Sequence, residues 1–479
     1  MREDWIECKL EDLLDYEQPT KYIIQEEKYN DEFPTPVLTA GKSFIKGYTD
    51  EDFGIFDNLP TIIFDDFTTA SQFVNFKFKV KSSAIKILVP TSKLVNLKFA
   101  FGAMQVNKVR SETHKRYWIS EYSKLSIGLP PLVEQRAIVK KLESLFSSLD
   151  AGVADLKKAQ QQLKIYKQAV LKKAFEGELT KEWREKQSSL TSKEDVLKVI
   201  KEKRNIYFEV KQREWELLNE EWVKEGKKNK RPAAIRQLKY FENDASSQGG
   251  FYLNEKIGNI YEVYIGSTPS RSNLDYWTNG SINWVSSGEV SFNRIKSTKE
   301  VISKIGYLNC STTIHPKGTV MLAMIGEGKT RGQASILDIE ACHNQNTAAI
   351  RQIDGLTKPE YLYYFLYYNY QKSRGIGSGN NQKALNQEVI NNMIIPFCLL
   401  EEQNEIVKQI ESRLSVCDSI EQKIKESLEK AEALRQSILK KAFEGNLLTA
   451  QELAECKLAD DYEPADVLLE RIKAENKKK

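Results

Sequence analysis

Two stretches of the chain set apolar residues at alternating steps of four and three. The first runs Ile138, Leu142, Leu145, Leu149, Gly152, Leu156, Ala159, Leu163, Tyr166, Val170. The second runs Ile406, Ile410, Arg413, Cys417, Ile420, Ile424, Ser427, Ala431, Leu434, Ile438 at the same offsets. Such an alternation, held for about five heptads, is the seam of a coiled coil. Each stretch predicts one helix of about 40 residues, ~60 Å long at 1.5 Å per residue. Pro130, Pro131 and Pro396 stand before the helices, and Gly177 and Gly445 stop them. Gly152, Arg413 and Ser427 interrupt the stripes, so the helices are expected to pair with each other and with something outside the chain.

The two stretches are also copies. Residues 134–177 and 402–445 agree at 18 of 44 positions without a gap, and both end in LKKAFEG. The segments before them, 1–128 and 251–395, are rich in β-branched and aromatic residues broken by Gly, Pro, Asn and Ser turns. LPTIIFDDFTT and KGTVMLAMIGEGKTRGQASILDIE read as buried strands joined by turns, and PEYLYYFLYYNYQ as an apolar helix. The two segments share little beyond KLEDL (9–13) and KIGNI (256–260), which suggests one fold carrying two surfaces. A charged helix is predicted over 195–224. The tail DVLLERIKAENKKK echoes DVLKVIKEKRN, and both read as accessory helices with frayed, basic ends. The class is α+β: mixed domains at 1–130 and 251–397, helical regions at 131–180 and 398–446, and accessory segments at 181–250 and 447–479.

Lys and Arg number 71 against 67 Asp and Glu, a formal charge of +4, so any basic patch must be local. Six scattered cysteines without a CxxC pair, and only three histidines, argue against a zinc site and for reduced thiols in a cytoplasmic protein. No apolar run reaches the ~18 residues of a membrane span, and the first residues do not read as a signal peptide.

Enzyme signatures fail one by one. AMIGEGKT (323–330) satisfies a loose phosphate-loop pattern, but the residues after it read as a turn and a strand rather than the required helix. His114 sits among cations without a nucleophile and reads as a surface histidine. CHNQN (342–346) lacks a second ligand cluster, and no catalytic set is found. A phosphate-loop enzyme, an undetected nuclease, and a coiled-coil scaffold without DNA contact remain as alternatives.

Polar and basic loops are what the sequence does offer. Cations neutralise phosphates, while Ser, Thr, Asn and Gln read base edges. The candidate DNA contacts are Lys42, Tyr48, Thr69, Gln72, Arg110, His114, Lys115 and Arg116 in the first segment. In the second they are Thr268, Ser270, Arg271, Lys329, Thr330, Arg331, Gln345, Asn346, Ser378, Asn380, Gln382 and Lys383.

LPPLVEQRAIVKKLESL followed by LKKAFEGEL, and LLEEQNEIVKQIESR followed by LKKAFEGNL, resemble the paired conserved helical regions of the specificity subunits of type I restriction–modification systems. KIGNIYEVYIGSTPSRSNLDYWTNGSINWVSSGEV and PVLTAGKSFIKGYTDE are similar to that family's target-recognition domains, and the likeness covers nearly the whole chain. One departure is Cys398-Leu399 where the first copy has Pro-Pro, a change expected to loosen the start of the second helix. The resemblance implies a non-catalytic subunit whose two recognition domains read a split, asymmetric DNA site, joined by antiparallel helices with pseudo-two-fold symmetry. It also implies two methyltransferase subunits using S-adenosylmethionine and restriction subunits using ATP and magnesium, with no cofactor in this chain. Glu134, Gln135, Phe175 and Glu176, with their repeats Glu402, Gln403, Phe443 and Glu444, are the matching positions for partner contact.

Overall fold

The structure, a computed structural model, describes residues 2–41, 43–107, 116–187, 192–227, 232, 240–241, 251–326, 328–375 and 385–477. Lys42, Arg110, His114, Lys115, Ser378, Asn380, Gln382 and Lys383 lie outside these residues. The chain forms two compact units that do not follow sequence order. One is Met1–Ala159 with Lys423–Lys479, and the other is Gln160–Gln422.

In the first unit a four-stranded antiparallel sheet runs Leu14–Glu17, Ile85–Pro90, Thr61–Asp65, Ser71–Val74. A three-stranded sheet runs Ile45–Thr49, Thr35–Leu38, Lys79–Val80, its last pair parallel. Side chains alternate across a strand, so an unbroken apolar run must be buried on both faces. Thr61–Asp65 obeys this: Ile62 and Phe64 enter the core beneath the helices, while Ile63 enters the core beneath the smaller sheet.

The second unit repeats the plan. Its larger sheet runs Tyr261–Ile265, Thr347–Gln352, Val320–Ala323, Ala334–Leu337, with Arg294–Ile295 added at the edge. The smaller sheet runs Glu300–Ile302, Ile282–Val285, Cys342–His343, again with a parallel last pair. Val320 and Leu322 face one core, Met321 and Ala323 the other. One fold with two surfaces is therefore what the chain contains. The phosphate-loop-like AMIGEGKT starts on the strand Val320–Ala323 and runs into the hairpin turn, with Glu327 outside the described residues, and the next described element is the strand Ala334–Leu337, not a helix.

The long helices are Leu132–Phe175 and Leu400–Phe443, 44 residues each. Each unit holds the head of one and the tail of the other, running antiparallel. In the second unit Lys167 Nζ lies 2.7 Å from Asp418 and 2.9 Å from Glu421, while Leu171 and Ala174 share a core with Ile406 and Ile410. In the first unit Arg435 pairs with Asp150 and stacks 4.6 Å from the Phe146 ring, while Ala442 shares a core with Ile138 and Leu142. These are one contact made twice, because 150 and 418, like 167 and 435, are repeat-equivalent.

The seam departs from the apolar reading. Leu145, Gly152, Tyr166, Ile420 and Leu434 are exposed, and their following neighbours Phe146, Val153, Lys167, Glu421 and Arg435 turn inward. The reason is physical: the aliphatic stems of Lys167 and Arg435 cover the seam while their charged heads pair across it. Cys398-Leu399 does not loosen the second helix. Gln403 Nε2 donates to the Cys398 carbonyl at 2.7 Å, as Gln135 Nε2 donates to the Pro130 carbonyl at 2.8 Å. Lys193–Lys224 packs Val196, Ile200, Arg204 and Phe208 against Leu253–Lys256 and Ile257–Ile260. The tail helix Ala465–Asn476 buries Leu468, Leu469 and Ile472 against Ile6–Lys9 and Leu10–Leu13 and so joins that unit's core, while the basic end at 478–479 lies outside the described residues.

A buried histidine pair fixes one loop of the second unit. Arg351 Nε donates to His315 Nδ1 at 2.8 Å, so His315 Nε2 carries the proton and donates to His343 Nε2 at 3.2 Å. His343 Nδ1 then donates to Thr347 Oγ1 at 2.8 Å, and Thr347 donates to the Asn344 carbonyl. Both rings are neutral. Burial pushes His315 down to about 2 and His343 down to about 4. Gly266 makes the close approach possible, since a Cβ there would lie 2.1 Å from the His343 carbonyl oxygen.

Depressed histidines give stability that is complete above the unfolded value near 6.5 and is lost as pH falls. Each ring is expected to cost the second unit about 2 kcal/mol between pH 7 and pH 5. Hydrogen-exchange protection of Thr347–Gln352, corrected for intrinsic rate, should therefore fall relative to that of Thr61–Asp65. Equal responses in the two strands would contradict the neutral pair.

Candidate nucleic-acid interface

The loop after Cys342–His343 is held along its backbone. The His343 carbonyl accepts from Ser267 N at 3.0 Å and Thr312 Oγ1 at 3.1 Å, and Asn344 N donates to the Val285 carbonyl at 3.0 Å. Asn346 N donates to Asn344 Oδ1, and the Asn346 carbonyl accepts from Met324 N at 2.9 Å. Gln345 is left exposed at the crest and Asn346 half-buried beside it. The Thr268 hydroxyl donates to Gln345 Oε1.

Aromatic rings hold the adjoining loop. Trp284 Nε1 donates to the Ser267 carbonyl at 3.3 Å and Trp277 Nε1 to the Ser270 carbonyl at 3.1 Å. The Ser270 and Ser272 hydroxyls lie 2.8 Å apart. The Arg271 guanidinium stacks 3.6 Å from the Trp277 ring and 5.0 Å from Trp284, a cation–π arrangement. Its edge faces Glu300, with NH2 2.9 Å from Oε2 and NH1 on Oε1. That hydrogen-bonded pair holds Glu300 below the usual carboxylate range and raises Arg271. Arg271 thus reaches a phosphate only in competition with Glu300.

Lys329, Thr330 and Arg331 occupy the hairpin tip, joined to the Gln345 loop through the Met324–Asn346 bond. The Lys329 side chain is exposed, and its carbonyl accepts from the Tyr370 hydroxyl. Thr268 is therefore brought against Gln345, with Ser270 and Arg271 on the loop that follows it and the 329–331 tip on the hairpin whose base bonds Asn346.

In the first unit Thr69 and Gln72 line a cleft of about 330 Å³ with Gly41, Ser71 and Gln105. Thr69 takes a left-handed φ of 59°, in a turn whose Phe67 and Thr68 amides donate to Asp65 Oδ1 at 2.9 Å. Gln105 Nε2 donates to Ser71 Oγ at 2.9 Å. Arg116 is exposed at the start of Tyr117–Ser120, and Trp118 N donates to Asp66 Oδ1 at 2.8 Å, which anchors that helix beside the turn. Tyr48 is placed elsewhere, on Ile45–Thr49 of the smaller sheet opposite Pro36.

Sequence reasoning missed Gln105, Trp277, Trp284 and Glu300. Glu300 carried no local signal, because its partner Arg271 lies 29 residues away.

Six of the eight helix-end residues sit inside the units. Glu134 is buried, accepts from Arg2 NH1 at 2.8 Å and Trp5 Nε1 at 3.0 Å, and is pushed up by burial. Glu402 accepts from Thr180 at 2.7 Å, Tyr252 at 2.8 Å and Arg184, whose guanidinium lies 3.9 Å from the Phe251 ring. Phe175 packs on Tyr361, Phe365 and Tyr368 with centroids at 5.3, 5.5 and 5.7 Å, and Phe443 packs on Phe99 at 5.1 Å. Gln135 and Gln403 are buried caps. Of the eight expected partner contacts, only Glu176 and Glu444 are left exposed, each ion-paired one turn back to Lys172 or Lys440. The exposed apolar residues of the helices are Leu145, Ile165, Tyr166, Val416, Ile420 and Leu434.

All six cysteines are buried free thiols. Among the described residues, no cluster of three His, Cys, Asp or Glu could hold a metal, and no helix is long and apolar enough to cross a membrane.

A family model for the type I restriction modification DNA specificity domain matches residues 2–159 and 254–430. The specificity subunit of the type I restriction enzymes EcoR124I/EcoR124II from Escherichia coli is 27% identical over 90% of this chain and 91% of its own. That of EcoKI from Escherichia coli K12 is 26% identical over 74% of this chain and 65% of its own. A chain solved in work on assembly and conformational transition of the type I R-M system shares the fold, with TM-score 0.61 and 15% identity over 93% of this chain and 99% of that one. With the model matching well over half of its residues, the chain belongs to the type I restriction–modification DNA specificity family.

Proposed function

We propose that this specificity subunit reads a split, asymmetric DNA site, one half with each mixed domain, and performs no catalysis itself. The observation that carries this reading is the repetition of one sheet plan with different loop chemistry. The first unit presents Thr69, Gln72 and Gln105 around a cleft, the second Gln345, Arg271 and Lys329 exposed on loops. Cations there neutralise phosphates and amides read bases.

The helices hold the partners. Their exposed apolar residues, Leu145 and Leu434 in one unit and Ile165, Tyr166, Val416 and Ile420 in the other, are the surface for two methyltransferase subunits; restriction subunits complete the complex. S-adenosylmethionine belongs to the former, ATP and magnesium to the latter, and the assembly works in the cytoplasm.

Replacing residues 1–128 by those of a relative is expected to change one half of the methylated site and leave the other half as before. A change in both halves would sink the proposal of independent reading domains. The Glu300–Arg271 pair gives a second expectation. Glu300→Gln frees Arg271 for a phosphate, so non-specific duplex binding should tighten and the slope of log K against log salt should steepen by about 0.9. A slope identical to that of the unaltered protein would show that Arg271 faces no phosphate.

A further inference from the structure

Gln345 combines three properties: an exposed amide, a backbone pinned on both sides, and a side-chain oxygen already bonded. The His343 and Asn344 backbone atoms are consumed by Ser267, Thr312 and Val285, and the Thr268 hydroxyl holds Gln345 Oε1. Among the described residues Nε2 donates to no other group, and Oε1 retains its second lone pair. An exposed glutamine ordinarily samples many rotamers and loses them on binding. Here that freedom is spent before any ligand arrives.

We propose that Gln345 reads an adenine in the major groove and that Thr268 is its positioning residue, an inference that rests on the DNA-recognition reading above. The amide presents an acceptor beside a donor. Adenine alone offers the complement, its N6 amino group next to N7, and a glutamine meets both at once. Guanine sets two acceptors, O6 and N7, against the same amide and leaves Oε1 facing O6. The exposed Lys329 on the adjoining hairpin tip supplies a phosphate contact that fixes the duplex in register. In the first unit the half-buried Gln105 is held from its other end, its Nε2 donating to Ser71 Oγ at 2.9 Å, so it does not offer the same exposed pair.

The test uses the full chain assembled with its methyltransferase subunits and a random pool of duplexes. Gln345→Ala should relax one A·T pair in the half-site read by residues 251–397, lowering discrimination there by about tenfold. Substituting 7-deazaadenine, which lacks the N7 acceptor, at that position should weaken the unaltered complex similarly and leave Gln345→Ala unaffected. Thr268→Val should lose part of the discrimination at the same position, and Thr268→Ser should restore it. An unchanged motif in Gln345→Ala, relaxation at a G·C pair, or indifference of the unaltered complex to 7-deazaadenine would overturn the assignment. If the unaltered complex selected no motif at all, the DNA-recognition reading itself would fall with it.

Discussion

A phenylalanine in the last turn of each long helix fastens that helix's tail to a domain. Phe175 is enclosed by Tyr361, Phe365 and Tyr368, and Phe443 rests on Phe99. Truncating such a ring in a core costs about 3–5 kcal/mol. The following glycines, Gly177 and Gly445, take left-handed φ of 85° and 81° and let the chain turn away. The residues that look most like a recognition motif are thus the ones that lock a helix tail onto a domain. Because each helix starts in one unit and ends in the other, every unit needs a copy of the same lock. That is why LKKAFEG stands twice in the chain.

The helix heads are fixed by a different and costlier device. Glu134 and Glu402 are carboxylates drawn into low-dielectric surroundings, which is unfavourable unless donors surround them. Arg2 and Trp5 serve the first, and Arg184, Thr180 and Tyr252 the second. The chemistry is the same although the arginines come from unrelated places in the sequence. Each unit thus holds one helix head and one helix tail with side chains of its own, and its loops are tied to the same unit through the sheets. The 343–347 loop shows how far this goes, with its crest exposed and its base tied to two buried imidazoles.

Much of this was legible in the residues, for identifiable reasons. Helical period survives any tertiary context, so both long helices and their stops could be read directly. The seam was read one residue off at Leu145, Tyr166, Ile420 and Leu434, because a pattern of apolar side chains has no way to score Lys167 and Arg435 as inward-facing. Their burial depends on carboxylates, Asp418 and Asp150, contributed by the other helix. Thr268, Arg271 and Gln345 were visible as loop chemistry, yet Trp277 and Glu300 were not, since stacking and pairing join residues that are distant in sequence. Repetition marked Glu134, Phe175, Glu402 and Phe443 as important without saying whether they face inward or outward; the structure places them within the units.

The central claim is that the repeated segment is an internal lock. Hydrogen exchange on the full chain carrying Phe175→Ala tests it most directly. Loss of the ring should speed exchange in Pro359–Gly375 and in the helix tail before Gly177, while Leu97–Val106, which meets Phe443, keeps its protection. Phe443→Ala should give the reverse pattern. If Phe175→Ala left Pro359–Gly375 as protected as before, the repeated segment would not be what holds the helix tail in place.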